Sequence, residues 1–241
     1  MNDDLHQLFR CLRLNKMAEL FDAETKHGDE QGLSYAELLA RLLRAEWHAR
    51  QESALTWRVK NARLPEIWTL ESFPFKKQPG VSQKQIRGLA ALDFIVKKEN
   101  LAFIGPTGVG KTDLAISILL KAIQNGHRAL FVRAQDLFDE MYASLADRSS
   151  RVLLNRLARV EVLCIDELGY LNIKPEQANI FFKLMEERYQ RHPTIITTNI
   201  DYDEWAGFLG NKPLTDALLS RVRHQCHTVR IEGPSLREPQ G

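Results

Sequence analysis

Eight residues from Gly105 to Thr112 have the spacing G-x-x-x-x-G-K-T. The chemistry of that pattern is the capture of a phosphate anion by backbone N–H groups. Gly105, Gly108 and Gly110 allow the close approach and positive φ that such a loop needs. Pro106, Thr107 and Val109 complete the cradle, and Asp113 follows it directly. The Lys111 ammonium is expected at the β- and γ-phosphates of a nucleotide, and the Thr112 hydroxyl at a Mg²⁺ ion. A chain of this length and average composition would match the pattern by accident about once in a hundred times, before anything is asked of the flanking segments.

A second cluster lies downstream. "VEVLCIDEL", beginning at Val160, is an apolar run that ends in Asp166 and Glu167. In phosphate-loop ATPases the first such acid holds Mg²⁺, and an adjacent glutamate is placed to orient or deprotonate an attacking water. The next apolar run closes on Thr197, Thr198 and Asn199. A polar group at that strand end could hold the water against the γ-phosphate, or Asn199 could be an ordinary turn former. Further on, "LTDALLSRVRHQ" sets Arg221 and Arg223 at the close of a short helix. Arginine there could neutralise charge on a γ-phosphate, a neighbouring subunit's included, or simply complement the helix dipole.

Positioning these groups requires strands that end at them. Leu101 to Ile104 form a short apolar run that reads as a buried strand, and "LAISILLKAIQ" behind the loop reads as a helix with its positive end at the phosphates. Further strands are expected at 129–134, 160–166, 194–199 and 226–231, with helices between them and a helix "SQKQIRGLAALDFIVKKE" from Ser82. The alternation predicts an α/β fold, a five-stranded parallel sheet with helices on both faces. Residues 4–64 read as helical: Leu5, Leu8, Phe9 and Leu12 recur at helical spacing, and a long helix follows a Ser34 cap. Pro65, Pro74 and Pro79 then interrupt the pattern. The expected organisation is a small all-α domain at 1–64, a linker or ordered arm at 65–81, and an ATPase domain at 82–241.

Composition narrows the class. The 241 residues can bury a full core, and a net charge of +2 leaves any polyanion-binding surface to be local. Cys11, Cys164 and Cys226 are too scattered for a disulfide framework or a zinc site. The start "NDDLHQLFR" has neither the basic start nor the apolar core of a signal peptide, and no apolar run approaches a membrane span. A soluble cytoplasmic protein without a membrane partner is expected.

Assembled, these motifs resemble the IstB-like ATP-binding proteins, helper ATPases of insertion-sequence transposition related to DnaC-type helicase loaders in the initiator clade of AAA+ ATPases. The resemblance covers nearly the whole chain: the helical N-terminus, "LPEIWTLESFPF", "GPTGVGKTDLA", "LCIDELGYL", "ITTNIDYDEW" and "LTDALLSRVRHQCHTVRIEG". It implies an ATPase with ATP and Mg²⁺ as cofactors, Asn199 as the sensor asparagine and Arg221 as an arginine finger. It further implies a homo-oligomer with shared active sites, and duplex DNA and a transposase as partners. The sequence ends soon after the fifth expected strand, so no C-terminal lid of the kind many AAA+ proteins carry is expected. Residues 135–159 resemble the extra helical pair of initiator-type ATPases. Asp113 departs from the uncharged polar residue common in relatives, and "GPSLR" from the commoner G-E-S-x-R. Arg237 is carried over as a possible nucleotide contact.

Two stretches are candidates for phosphate contacts without base readout. Between 41 and 63, Arg41, Arg44, Arg50, Arg58, Lys60 and Arg63 outnumber Glu46 and Glu52, an excess of +4. Arg41, Arg44 and His48 share a helical face, with Arg63 near it, while Leu38, Leu39, Leu42 and Leu43 face roughly the other way. Trp47 and Trp57 flank the stripe or serve a core. The inserted helices carry Arg148, Arg151, Arg156 and Arg159 as the second candidate. The function so expected is an ATPase that oligomerises on duplex DNA and assists transposition. Its rivals are a helicase loader, a nucleotide-gated scaffold with little turnover, and a small-molecule kinase.

Overall fold

The chain divides into two compact units, Met1–Trp57 and Arg58–Gly241; the computed structural model describes residues 2–169 and 173–237. Tyr170 and Leu171 of the "IDELGYL" stretch lie outside the described residues.

The first unit holds α1 (Asn2–Cys11), α2 (Asn15–Gln31) and most of α3 (Tyr35–Asn61). Ser34 and Glu37 cap α3 reciprocally, the Glu37 N–H donating to Ser34 Oγ at 3.3 Å and the Ser34 N–H to the Glu37 carboxylate at 2.9 Å. Phe9, Met17 and Leu42 form a small core with Leu5, Phe21 and Leu38 packed against it. Glu46 is buried beside it and accepts from the N–H groups of Lys16 at 2.8 Å and Met17 at 3.2 Å, satisfying orphan donors at the start of α2. Burial raises its carboxyl pKa, but bonds from Arg50, Met17 and Lys16 outweigh that, so the net shift is downward and favours the carboxylate.

The four leucines do not share one fate. Leu42 is buried and Leu38 half-buried, whereas Leu39 and Leu43 are 52% and 48% exposed, because two short partner helices cover only a narrow stripe of α3. Trp47 and Trp57 are exposed rather than core residues. Arg41 stands 3.9 Å from Glu24 and Arg50 2.8 Å from Glu46, so part of the charge excess is paired within the unit, while Arg44 and His48 are exposed.

The second unit begins with chain that covers a sheet edge: the Phe131 N–H donates to the Ala62 carbonyl at 2.8 Å, and Arg58 Nε to the Ile123 carbonyl at 3.2 Å. The helix expected from Ser82 is two, α4 (Gln83–Leu89) and α5 (Asp93–Lys97), parted at Leu92 with φ 70°. Then come β1 (Asn100–Ile104), α6 (Lys111–Gln124), β2 (Ala129–Arg133), α7 (Ala134–Ala146) and α8 (Ser150–Ala158). After these follow β3 (Val162–Leu168), α9 (Pro175–Arg188), β4 (Thr194–Thr198), α10 (Trp205–Leu209), α11 (Lys212–His224) and β5 (Cys226–Arg230). The five strands are parallel in the order β2-β3-β4-β1-β5.

Strand alternation gives each face its own core. Ala102, Ile104, Leu163, Ile165 and Ile196 pack with α7 to α11. The intervening Leu101, Phe103, Val162, Cys164 and Ile195 are equally buried on the other face, where α6 crosses β1 to β4. The crossover order leaves the phosphate-loop strand β1 between β4 and β5 and brings the acidic strand β3 one place away, across β4. The carboxyl ends of β1, β3 and β4 therefore converge at one place, where open α/β sheets hold ligands.

Candidate nucleotide site

β1 runs directly into the loop and α6 starts at Lys111, so the helix N-terminus faces what the loop holds. Gly108 and Gly110 have φ of 83° and 89°, values that a side chain would strain. A Cβ on Gly108 would stand 2.2 Å from Ser235 Oγ, and one on Gly110 2.6 Å from the Phe73 ring. Lys111 Nζ donates to the carbonyls of Gly105 at 2.8 Å and Pro106 at 2.7 Å, which lays the ammonium across the loop. Burial lowers its pKa; Asp166 and Glu167 oppose that and Arg237 adds to it.

The acids are aimed by an irregularity in the sheet. Ile165 pairs with Ile196 but Leu168 with Thr198, so β3 carries one residue more than β4 across this interval. The bulge falls on Asp166 and Glu167, and Glu167 takes φ of 60°. Such a backbone costs a non-glycine residue roughly 1–3 kcal/mol and persists only where neighbours enforce it.

Thr197 is that neighbour. Its hydroxyl accepts from the Glu167 N–H at 2.9 Å and donates to Asp166 Oδ1 at 2.5 Å. The Thr112 hydroxyl donates to the same Oδ1 at 2.8 Å. Burial raises the Asp166 pKa, the Thr197 and Thr112 hydrogen bonds oppose the rise, and Glu167 adds to it. Asp166 is 3% exposed, whereas Glu167 projects into solvent at the site.

A cleft of 570 Å³ lies over these groups, walled by Lys111, Thr112, Asp113, Asp166 and Glu167. The other wall comes from Glu66, Trp68 and Pro74 of the arm, which sequence reasoning did not place here, and from Leu236 with Arg237, the one residue of this wall that the resemblance points to. Phe73 is buried, and Trp68 Nε1 donates to the Glu66 carboxylate at 3.1 Å, which ties the arm locally. The available signal was a tryptophan and two phenylalanines in a proline-punctuated stretch too apolar for a free linker. Asp113 is half-buried; burial and then Glu66 raise its pKa, and Arg237 opposes them.

The residues present fit a Mg²⁺-bound nucleoside triphosphate. A loop of N–H groups and an ammonium suit a polyphosphate, and the Thr112 and Asp166 oxygens, held together, are the hard donors that Mg²⁺ takes. Bound there, Mg²⁺ would supply neutralisation of charge on the phosphate oxygens.

Not every expected residue meets the cleft. Asn199 lies beside Gly169 with its amide oxygen buried and without a hydrogen-bond partner among the described residues, off the cleft wall. Arg221 is turned away: it donates to the Ala217 carbonyl at 2.8 Å, pairs with Glu186 at 3.5 Å and lies 5.2 Å over the Phe182 ring. Arg223 lies 4.8 Å over Tyr202 and lines a larger, more open cleft of 730 Å³ along α11. That larger cleft contains no phosphate loop and no acid pair of β3, so the chemistry resides in the smaller one. In the inserted helices Arg156 pairs with Glu140, and Arg151 with Glu187 at 3.4 Å, which leaves less unpaired charge than the sequence suggests. No helix among the described residues is long and apolar enough to cross a membrane.

Known proteins resemble the chain along nearly its whole length. An ATP-binding protein of insertion sequence IS5376 from Geobacillus stearothermophilus is 35% identical over 237 residues, covering 98% of this chain and 94% of the relative. The ATP-binding protein of insertion sequence IS21 from Pseudomonas aeruginosa is 35% identical over 234 residues, covering 97% and 88%. Among solved structures, DnaI superposes with a TM-score of 0.60 at 24% identity, over 68% of this chain and 91% of that one. The DnaC helicase loader does so with a TM-score of 0.57 at 23% identity, over 68% and 96%. These likenesses establish the AAA+ phosphate-loop fold. The family model for the IstB-like ATP binding protein matches residues 7–240, and the chain belongs to that family.

Proposed function

We propose that the chain is a Mg²⁺-dependent ATPase that oligomerises on duplex DNA and assists DNA transposition by recruiting or stimulating a transposase. The observation that carries the enzymatic part is the hydrogen-bonded set Thr112–Asp166–Thr197, with Glu167 exposed beside it. In this reading Lys111 and the loop N–H groups bind the β- and γ-phosphates, and Thr112 with Asp166 holds Mg²⁺. Glu167 takes the proton of the attacking water; Asn199, which lies off the cleft wall here, would orient that water only after its side chain turns toward the γ-phosphate. Arg221 acts on the nucleotide of an adjacent protomer, which accords with its distance from its own cleft.

The insertion-sequence relatives support the proposed biological setting. The helical domain at 1–64 contacts DNA phosphates through the α3 face that carries Arg41 and Arg44, and the protein acts in the cytoplasm. The test is ATP turnover and sedimentation with and without duplex DNA. Stimulation by duplex together with a larger assembly supports the reading. Turnover that answers only to single-stranded DNA points to a helicase loader, and a chain that neither binds nor cleaves ATP refutes it.

A further inference from the structure

A phosphate-binding loop turns its N–H groups inward, and that leaves its carbonyls facing outward in need of donors. Two consecutive carbonyls of this loop are met by segments far away in sequence. The Leu236 N–H donates to the Gly108 carbonyl at 2.8 Å. Gln78 Nε2 donates to the Val109 carbonyl at 3.2 Å and also to the Pro234 carbonyl at 3.0 Å. Gln78 is wholly buried although it is polar and sits in a proline-flanked arm. Its Oε1 has no hydrogen-bond partner, so the site is shaped for the amide NH₂ alone. Two carbonyls facing one side chain explain that orientation, since reversing the amide would leave both unsatisfied. A Cβ on Gly233 would stand 1.7 Å from that Oε1, and φ at Gly233 lies outside the left-handed region. Glycine is needed at 233 only to make room for the amide.

We infer that Gln78 is a positioning residue for nucleotide binding, clasping the phosphate loop to the strap Ile231–Arg237 and so fixing the direction of the loop's N–H groups. The inference rests on the proposed phosphate site and goes beyond it, because Gln78 is not itself part of the cleft wall. The arm and strap that form the clasp also carry Trp68, Leu236 and Arg237 onto that wall. One amide therefore sets both the floor and a side of the cleft.

The test is a double-mutant cycle on the full chain with Gln78→Met and Gly233→Ala, read as the dissociation constant of a fluorescent ATP analogue and as KM and kcat. Methionine keeps the length but cannot donate, and alanine displaces the amide from the opposite side. Each single variant should weaken nucleotide binding about tenfold, the effect of one lost buried hydrogen-bonded donor. KM should rise with kcat held within about twofold, as expected when binding common to ground and transition states is lost. The double variant should bind no more weakly than the worse single one, because both remove the same contact. Independent, multiplying effects, or wild-type affinity in either single variant, would overturn the inference. If Gln78→Met does not fold, Gly233→Ala decides alone: unchanged affinity sinks the clasp. Failure of the wild-type chain to bind the analogue would instead sink the phosphate site itself.

Discussion

Thr197→Val separates the strand that carries the acids from the acids themselves. Valine preserves the branched shape at a position with 0% exposure but removes the hydroxyl, which is a loss of polar satisfaction rather than volume. Two hydrogen bonds go at once, the 2.5 Å bond to Asp166 and the 2.9 Å bond from the Glu167 N–H. A bond to a charged group contributes about 1.5–3 kcal/mol and a stranded N–H costs about 1–3 kcal/mol. Asp166 keeps Thr112 as a donor, so the net expectation is a loss of about 2–4 kcal/mol in unfolding free energy. The catalytic consequence is of similar size in free energy, about 2.7 kcal/mol for a 100-fold loss of rate. Glu167 is held at φ of 60° by that N–H bond, and without it the carboxylate relaxes. A displacement of about 1 Å at a reacting group costs on the order of 100-fold in rate. Urea melts and steady-state ATP hydrolysis should therefore show lower stability and a kcat reduced about 100-fold, with KM changed far less because the phosphate loop is untouched. Thr197→Ser, which restores the hydroxyl, should recover most of the rate. A stability loss with an unchanged kcat would refute the aiming of Glu167 by Thr197. No change in either would refute the hydrogen-bond geometry altogether.

Three further outcomes follow from the same site. Glu167→Gln should bind ATP normally and lower turnover about 10²–10⁴-fold, the usual worth of a positioned base, as single-turnover measurements will show. Asp166→Asn should stabilise the nucleotide-free protein at neutral pH. The wild-type pKa is raised by burial, so the ionised native state loses stability as pH rises from the ordinary aspartate value through the raised one. The variant's advantage in paired melts should vanish toward pH 3, and an advantage independent of pH would count against a buried ionised Asp166. Arg221→Ala should bind ATP as a monomer yet lose DNA-stimulated hydrolysis. Mixing it with Lys111→Ala should partly restore that hydrolysis, and mixtures that co-assemble but stay inactive would exclude Arg221 as the residue acting between protomers.

The fold and the reactive groups were legible because their signals are local. Apolar runs that end in glycines, acids or polar residues mark strand ends, and the phosphate loop, Asp166 and Glu167 emerge at the same edge of the sheet because parallel strands force it. Strand limits drifted by one or two residues, most at β3, where the run continues through the acids to Leu168. A bulge leaves no mark in an apolar pattern, so neither the φ of Glu167 nor the part played by Thr197 could be read. The exposure of Leu39 and Leu43 was hidden for the opposite reason: periodicity shows which faces of a helix are apolar, not how much of them a thin bundle can cover.

The two departures from the family pattern take on a physical meaning once the strap is seen. "GPSLR" has Pro234 where the resemblance leads one to expect glutamate, but what this position gives the site is its backbone carbonyl, which accepts from Gln78 Nε2 at 3.0 Å. Any residue supplies a carbonyl, and proline also restricts φ, which lowers the entropy lost in ordering the strap. Asp113 adds an acid to a wall that must admit a polyanion, next to Glu66. Arg237, brought to the same wall by the strap, opposes its charge. An acid in the first turn of α6 is favourable to the helix, and the strap arginine keeps it from being hostile to phosphate. The strap thus accommodates both residues in this chain: Pro234 contributes main chain to the clasp, and Asp113 is balanced by a charge carried more than a hundred residues further along.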